Sequence, residues 1–240
     1  MEKILRVGSS GPEVTDLQSL LNGQLVPSPR LRVDGIFGPR TRAAVVAFQR
    51  ANWLITDGVV GICTFNALRG EEEFVVLRRP AKLVPQPDET TCWAASTAML
   101  TNLSVPEVVT RAKAAGVDVT NGLPNDSNTK SFTNTQLFAN TFGLTMLYPQ
   151  SWIPSALATM LRAHGPLMMD TLWSASDYVA GAGSSGHMRV IAGMRGDSTG
   201  EAATTLLYDP WSPGIGKIES VLYGPLVRRD PASTYQIFYR

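Results

Sequence analysis

The first 70 residues contain one short motif twice, and this internal repeat is the strongest constraint on the fold. Residues 34–38 read Asp-Gly-Ile-Phe-Gly and residues 57–61 read Asp-Gly-Val-Val-Gly, each followed by Thr three residues later and Ala six residues later. Glycine tolerates a positive φ and an Asp side chain can bond its own turn, so each copy predicts a tight turn leading into a helix. Apolar residues at helical spacing between positions 14 and 21 predict one more helix upstream. We therefore expect residues 1–70 to form a small three-helix bundle.

About fifteen positions of this segment, taken in order, resemble the peptidoglycan-binding domain type 1 family. They include Gly11, the dipeptides Leu-Gln at 17–18 and Phe-Gln at 48–49, and both Asp-Gly turns. The resemblance covers roughly residues 3–69 and implies a three-helix module that binds the cell wall. The motif residues are mainly scaffold, so the resemblance assigns no individual ligand contact.

A charged segment follows the bundle. Residues 71–73 are three glutamates, and residues 78–79 are two arginines that precede a proline. Charge runs are usually solvated, so residues 71–81 are predicted to be a solvent-facing linker, with a second domain over residues 82–240. Hydrophobic residues make up 44% of the 240-residue chain and charged residues 17%, which excludes a mostly disordered chain.

Composition also limits the partners and cofactors. The net charge of +1 argues against nucleic acid as the main partner, because that affinity comes largely from neutralised phosphates. Two histidines and two distant cysteines give no paired spacing for zinc, so no metal is expected. No glycine-rich phosphate loop follows a strand, so no nucleotide cofactor is expected either.

The sequence contains no candidate for membrane insertion. A spanning helix needs roughly 18 or more consecutive apolar residues, and no segment provides them. The N-terminus lacks an apolar core of signal-peptide length. If the protein acts in the periplasm or cell wall, we expect export by a non-classical route, such as contact-dependent secretion or lysis. A cytoplasmic location stays open.

Cys92 lies where a segment of prolines and turn formers ends and an alanine-rich run begins. This change predicts a helix that has Cys92 at or just inside its N-terminus. Unpaired amides and the helix dipole there favour the thiolate, the form that attacks carbonyl carbons. Gln86, six residues upstream, can donate to a developing oxyanion together with the Cys92 amide. Cys63 lies inside the repeat and is expected to be structural.

A histidine and an aspartate can complete such a nucleophilic site. Residues 186–193 are predicted to form a strand that begins at His187, and residues 206–209 the next strand, which ends at Asp209. If the two strands pair, the carboxylate can fix the imidazole tautomer and stabilise the imidazolium. The other histidine, His164, lies at a predicted helix end and is expected to be solvated or to face that terminus.

Further segments predict the elements that surround this site. Capping boxes at Ser104 and Thr133 predict helices over 105–115 and 136–142. Helical spacing predicts another helix over 151–162, and residues 166–172 are predicted to be the first main strand. Three tryptophans are candidates for a substrate groove, although large aromatic residues beside a sheet more often belong to a core. They are Trp93, Trp173 and Trp211.

The order and spacing of Gln86, Cys92, Trp93, His187 and Asp209 resemble the papain-like cysteine peptidases, in particular their bacterial toxin-processing peptidases and effector proteases. The resemblance spans about residues 82–240 and implies an α+β fold, with a helical lobe packed on an antiparallel sheet. It implies Cys92 as nucleophile, His187 as base and acid, Asp209 as orienting group and Gln86 as oxyanion donor. Papain itself has Asn in place of the Asp, so the substrate preference of plant enzymes is not implied.

Together the two resemblances predict a cysteine peptidase or amidase that is directed to the bacterial cell wall and cleaves peptide bonds of peptidoglycan. Two alternatives stay open. The first is an effector protease or processing peptidase that cuts a protein substrate. The second is a wall-binding adaptor without activity. The expected partners are peptidoglycan or a peptide substrate, and a cognate inhibitor or immunity protein is a further candidate.

Overall fold

Three helices and two turns form the N-terminal unit in the computed structural model, which describes residues 3–80, 82–123, 133–172, 186–227 and 235–240. The helices are α1 (Pro12–Gln24), α2 (Pro39–Ala51) and α3 (Ile62–Arg69). Their predicted apolar faces enclose a core of twelve buried hydrophobic side chains, among them Val14, Leu17 and Phe48. The three-helix bundle expected from the repeat is confirmed.

A buried glutamine fixes each turn of the repeat in the same way. The Nε2 of Gln18 donates to Oδ1 of Asp34 at 3.0 Å, and its Oε1 accepts from the amide of Gly35 at 2.9 Å. Gln49 makes the same two bonds with Asp57 and Gly58, at 3.0 and 2.9 Å. Both glycines have positive φ angles, 70° and 75°, which explains why each turn requires glycine.

The C-terminal unit packs helices on both faces of one seven-stranded sheet. The strand order is β2-β7-β3-β4-β5-β6, β1 pairs with the far end of β4, and every described pairing is antiparallel. The helices are α4 (Cys92–Thr101), α5 (Val105–Ala114), α6 (Thr133–Phe142), α7 (Pro154–His164) and α8 (Tyr223–Val227). The strands are β1 (Phe74–Leu77), β2 (Thr145–Gln150), β3 (Leu167–Leu172), β4 (Gly186–Gly196), β5 (Ala203–Asp209), β6 (Lys217–Leu222) and β7 (Tyr235–Tyr239). The predicted fold class, a helical bundle followed by a papain-like α+β domain, is confirmed.

Most local predictions agree with these bounds. The capping box at Ser104 is present, with its hydroxyl accepting from the Glu107 amide and the Glu107 carboxylate accepting from the Ser104 amide. Helix α6 begins at Thr133, three residues before the predicted start. The strand predicted as first over 166–172 is the third, because β1 and β2 precede it.

The predicted linker differs most from its expected form. Residues 74–77 form β1, which pairs with residues 193–196 of β4 and alternates between buried and exposed side chains. Glu72 is also not solvated, because both of its oxygens accept from the guanidinium of Arg195, at 2.6 and 2.5 Å, and each side chain is 6% exposed. The prediction of a solvent-facing hinge over 71–81 is therefore wrong for this part of the segment.

Contacts of the residues after α2 pack the bundle against the sheet. The Trp53 ring lies 5.1 Å from the Arg195 guanidinium, and the Trp53 carbonyl accepts from Ser220 of β6 at 2.6 Å. The same guanidinium donates to the carbonyl of Asn52. Strand β4 therefore contacts the bundle at one end and carries His187 at the other. Within the described residues, no helix is long and apolar enough to span a bilayer.

Candidate functional site

Cys92 is the first residue of α4, as the sequence predicts. The turn before it is shaped by Asp88, whose Oδ1 accepts from the Thr90 amide at 2.9 Å and from the Thr91 hydroxyl at 3.0 Å. Helix α4 is anchored to the sheet by Ser96, which donates to the Met188 carbonyl at 3.0 Å. This contact holds the N-terminal half of the helix against the start of β4, where His187 lies.

Burial dominates the electrostatics of Cys92. Loss of solvent raises the pKa of the Cys92 thiol to about 11, and the carboxylates of Asp170 and Asp209 act in the same direction. Hydrogen bonding from the Met188 backbone lowers the pKa, but by less. The prediction that the helix N-terminus lowers the pKa of Cys92 is therefore wrong, because burial outweighs that effect. At neutral pH the resting form is the thiol, and its attack on a carbonyl needs a base.

His187 and Asp209 form the polar pair that the strand prediction places together. Because β4 and β5 are adjacent and antiparallel, Nε2 of His187 lies 2.7 Å from Oδ1 of Asp209. Burial alone raises the pKa of Asp209, but the hydrogen bonds from His187 and from the Trp211 amide outweigh it, and the net shift is downward. The carboxylate is thus ionised and is bonded to Nε2, so Nδ1 is the ring nitrogen that this pair does not use.

Three residues around this pair carry no clear signal in the sequence. The amide of Met188 contacts the thiol, and it belongs to the residue next to His187. The charge of Arg189 helps lower the pKa of Asp209, and its guanidinium donates to Thr171 at 3.0 Å. Asp170 is 1% exposed on β3. Of the three, Asp170 and Arg189 could have been found as charged residues within predicted strands, whereas Met188 has no such signal.

Gln86 is fully buried in the loop that approaches α4. The backbone amide of Gln86 donates to the Pro210 carbonyl at 3.1 Å, and its backbone carbonyl accepts from the Gly214 amide at 2.8 Å. These bonds tie the loop to the turn that follows Asp209. One hydrogen of Nε2 is used by the Asp88 carbonyl, at 2.6 Å. The second hydrogen of this side-chain amide is not used in that bond.

The tryptophan candidates separate clearly. Trp93 is 2% exposed and packs edge-on against Phe138 at 5.9 Å, so it belongs to the core and its predicted place in a substrate groove is corrected. Trp211 is 43% exposed, its ring lies 6.4 Å from that of His187, and its amide donates to Asp209 at 2.9 Å. Trp173 lies outside the described residues.

The remaining predicted residues lie in other environments. His164 is the last residue of α7, and its ring stacks on Tyr239 at 4.0 Å. Cys63 is half-buried on α3, where its thiol contacts the Glu201 carbonyl at 3.6 Å. In the part of the chain that the structure describes, no three His, Cys, Asp or Glu side chains are grouped so that they could hold a metal ion.

The fold and the site together define a papain-like arrangement, in which a cysteine at a helix N-terminus packs against a sheet that carries a bonded His-Asp pair. The model of the family described as papain-like cysteine protease AvrRpt2 matches residues 77–221, more than half of the chain, and the chain therefore belongs to this family. A second family model, for a peptidoglycan binding domain, matches residues 10–68.

Other known proteins match parts of the chain. The zinc D-Ala-D-Ala carboxypeptidase of Streptomyces albus G is 45% identical over 64 residues, which are 27% of this chain and 25% of that protein. The solved N-terminal domain of SleB is 32% identical with a TM-score of 0.28, over 30% of this chain and 94% of that one. A fused Zn-dependent amidase/peptidase/peptidoglycan-binding domain-containing protein from Clostridium acetobutylicum ATCC 824 is 27% identical with a TM-score of 0.26, over 53% of this chain and 46% of that one. The chain thus spans a quarter of the carboxypeptidase and less than half of the Clostridium protein.

Proposed function

We propose that the protein is a cysteine hydrolase of the bacterial cell wall, with a wall-binding unit over residues 1–70 and a catalytic unit over residues 82–240. The observation that carries the proposal is the His187–Asp209 bond of 2.7 Å beside the helix that begins at Cys92, in a chain that also contains a peptidoglycan-binding domain. The substrate is an amide bond of a peptidoglycan peptide.

The chemistry follows from the atoms available. Nδ1 of His187 takes the proton of the Cys92 thiol as the sulfur attacks the carbonyl carbon, and the imidazolium formed is stabilised by Asp209. The Nε2 of Gln86 and the Cys92 amide donate to the oxyanion. His187 then protonates the leaving amine, and water releases the acyl group from the sulfur. The raised pKa of Cys92 fits a thiol that is deprotonated during attack rather than a preformed thiolate.

The bundle supports a wall substrate for a physical reason. A module that binds an insoluble polymer raises the local concentration of its bonds around a linked catalytic site. A protein that is similar over 64 residues, the zinc D-Ala-D-Ala carboxypeptidase of Streptomyces albus G, supports the same class of substrate. A protein substrate is the alternative, because the catalytic family is described as a protease.

The test is to incubate the full chain with purified sacculi and, separately, with casein, and to identify products by mass spectrometry. Cys92→Ala is the matched control, since it removes the sulfur and keeps a good helix former at the start of α4. New stem-peptide fragments that are absent from the control support the wall hydrolase. Casein fragments alone support the protease, and no products from either substrate contradict the proposal and favour a wall-binding adaptor.

A further inference from the structure

A cavity of about 500 Å³ lies where the second turn of the repeat meets the sheet. The bundle contributes Asp57 and Cys63, and the catalytic unit contributes Glu201, Thr204 and Leu222. This volume is within the range of small-ligand sites, roughly 300–1,000 Å³. The cavity is separate from the site described above, because its lining includes neither Cys92 nor His187 nor Asp209.

The two copies of the repeat differ in this environment. Asp34 and Asp57 make equivalent bonds to a glutamine and to the amide two residues later, at 2.9–3.0 Å. Asp57 also lines the cavity, whereas Asp34 does not. The Asp34 turn is therefore an internal control for the Asp57 turn, because it makes the same hydrogen bonds but does not line the cavity.

The chemistry of the lining restricts the occupant. Leu54, Ile55 and Val59 provide alkyl surface opposite Leu222, while the described lining residues include two carboxylates and no Lys, Arg or His. Thr204 is 1% exposed and lies beside the Cys63 thiol: burial raises the pKa of that thiol, and its hydrogen bond with the Thr204 side chain acts in the opposite direction. The lining therefore fits a ligand that combines an alkyl segment with a positive charge.

The walls of the cavity are held at a fixed separation. The Cys63 thiol contacts the Glu201 carbonyl across the boundary at 3.6 Å, and Arg195 of β4 donates to the Asn52 carbonyl of the bundle. A preformed cavity loses little conformational freedom when a ligand enters, so modest contacts suffice for specific binding.

We propose that this cavity is a second binding site for peptidoglycan stem peptides. The alkyl side chain of a diamino acid in the peptide lies between the bundle and the sheet. The free ammonium group of that side chain binds the carboxylates of Asp57 and Glu201. The inference rests on the proposed function. The site binds without cleaving, since Cys63 has no histidine in the lining to serve as its base. A wall polymer bound there is retained while neighbouring peptides reach Cys92.

The experiment uses the full-length Cys92→Ala protein, in which Cys63 is the sole cysteine. A synthetic lysine-containing stem tetrapeptide is titrated while the rate of Cys63 alkylation by iodoacetamide is followed by mass spectrometry at pH 8.5. The expected result is protection of Cys63 that saturates with peptide. The same peptide acetylated on the lysine Nε, which has lost its charge, is expected to bind about tenfold more weakly.

Matched variants in the same background locate the site. Asp57→Asn keeps the oxygen that bonds the turn but removes the charge, and is expected to weaken protection by about tenfold, while Asp34→Asn leaves it unchanged. Thermal unfolding of each variant checks that the fold is retained.

Two results overturn the inference: absence of protection at any peptide concentration, or equal weakening by Asp34→Asn and Asp57→Asn. Either can occur while the wild-type chain still digests sacculi, in which case the proposed function stands without this site. If Cys63 is protected but sacculi remain intact, the cavity is a wall-peptide site in a protein that does not hydrolyse the wall.

Discussion

Glu72 and Arg195 form a bidentate ion pair that is almost wholly shielded from solvent, at 2.6 and 2.5 Å. The two residues lie 123 positions apart, and the pair joins the segment after the bundle to the central strand β4. Burial removes both charges from water, so each depends on its partner. The pair therefore fixes the segment that connects the two units to the sheet.

We expect Glu72→Gln to lower the free energy of unfolding by about 3–5 kcal/mol, because it leaves a buried guanidinium without its countercharge. Glu71→Gln is the matched control. Glu71 pairs with Arg69 at 3.9 Å in a more exposed setting, and loss of such a pair costs about 1 kcal/mol or less. Chemical denaturation of both variants measures the difference. Equal stabilities would show that the buried pair does not fix that segment.

The linker prediction failed for a reason that is general to sequence analysis. Three consecutive glutamates predict a solvated segment, and nothing local to residues 71–73 indicates that one of them meets an arginine of a distant strand. Likewise, the apolar residues of β1 form too short a segment to identify a strand without its partner β4. Long-range pairing, rather than local propensity, determined both outcomes.

The site was more predictable because its signals are local. The change from prolines to alanines at Cys92 marks the helix start, and strand patterns around His187 and Asp209 indicate neighbouring strands. What could not be predicted is burial. It depends on how α4 packs on the sheet, and it both raises the pKa of Cys92 and places Trp93 in the core.

The raised pKa of Cys92 gives a prediction for pH dependence. In a Cys63→Ala background only Cys92 can be alkylated, and alkylation requires the thiolate. With His187→Ala added, the rate is expected to rise by about tenfold per pH unit and to level off near pH 11, because a raised pKa keeps the thiol protonated below that value. With His187 present, the rate at neutral pH is expected to be higher, since the imidazole accepts the proton. Iodoacetamide labelling followed by mass spectrometry measures both profiles, and identical profiles would exclude His187 as the base.

The pair of His187 and Asp209 predicts graded losses of activity. His187→Ala removes the base and acid, for which the expected loss is about 10²–10⁴-fold in turnover. Asp209→Asn retains an oxygen that can accept from both His187 and the Trp211 amide but lacks the charge, so a smaller loss is expected. Initial rates on a substrate identified in the sacculus or casein digestion measure the series. His164→Ala is the control histidine and is expected to retain full activity, because its ring stacks on Tyr239. An inactive His164→Ala beside an active His187→Ala would refute the assignment.

Gln86→Ala tests the oxyanion donor. The expected result is a fall in turnover of about 10²–10³-fold with little change in KM, because the donor pairs best with charge that develops only in the transition state. The variant loses the side-chain bond to the Asp88 carbonyl, but the loop is expected to keep its position because the backbone of residue 86 is tied to Pro210 and Gly214. Thermal unfolding of the variant checks this. A rise in KM with unchanged turnover would instead assign Gln86 to ground-state binding.

Trp211 and Trp93 have the same side chain in opposite environments, one exposed and one buried, so their substitutions are expected to have different effects. Trp211→Ala is expected to raise KM, since the ring is exposed beside His187. It is expected to change the free energy of unfolding by no more than about 0.5 kcal/mol, because the hydrogen bond from the backbone amide of residue 211 to Asp209 survives the substitution. Trp93→Ala is expected to lower the free energy of unfolding by about 3–5 kcal/mol, because it empties a packed position against Phe138. Steady-state kinetics and denaturation on both variants separate the two roles. If Trp211→Ala leaves KM unchanged, the exposed ring has no part in the substrate groove.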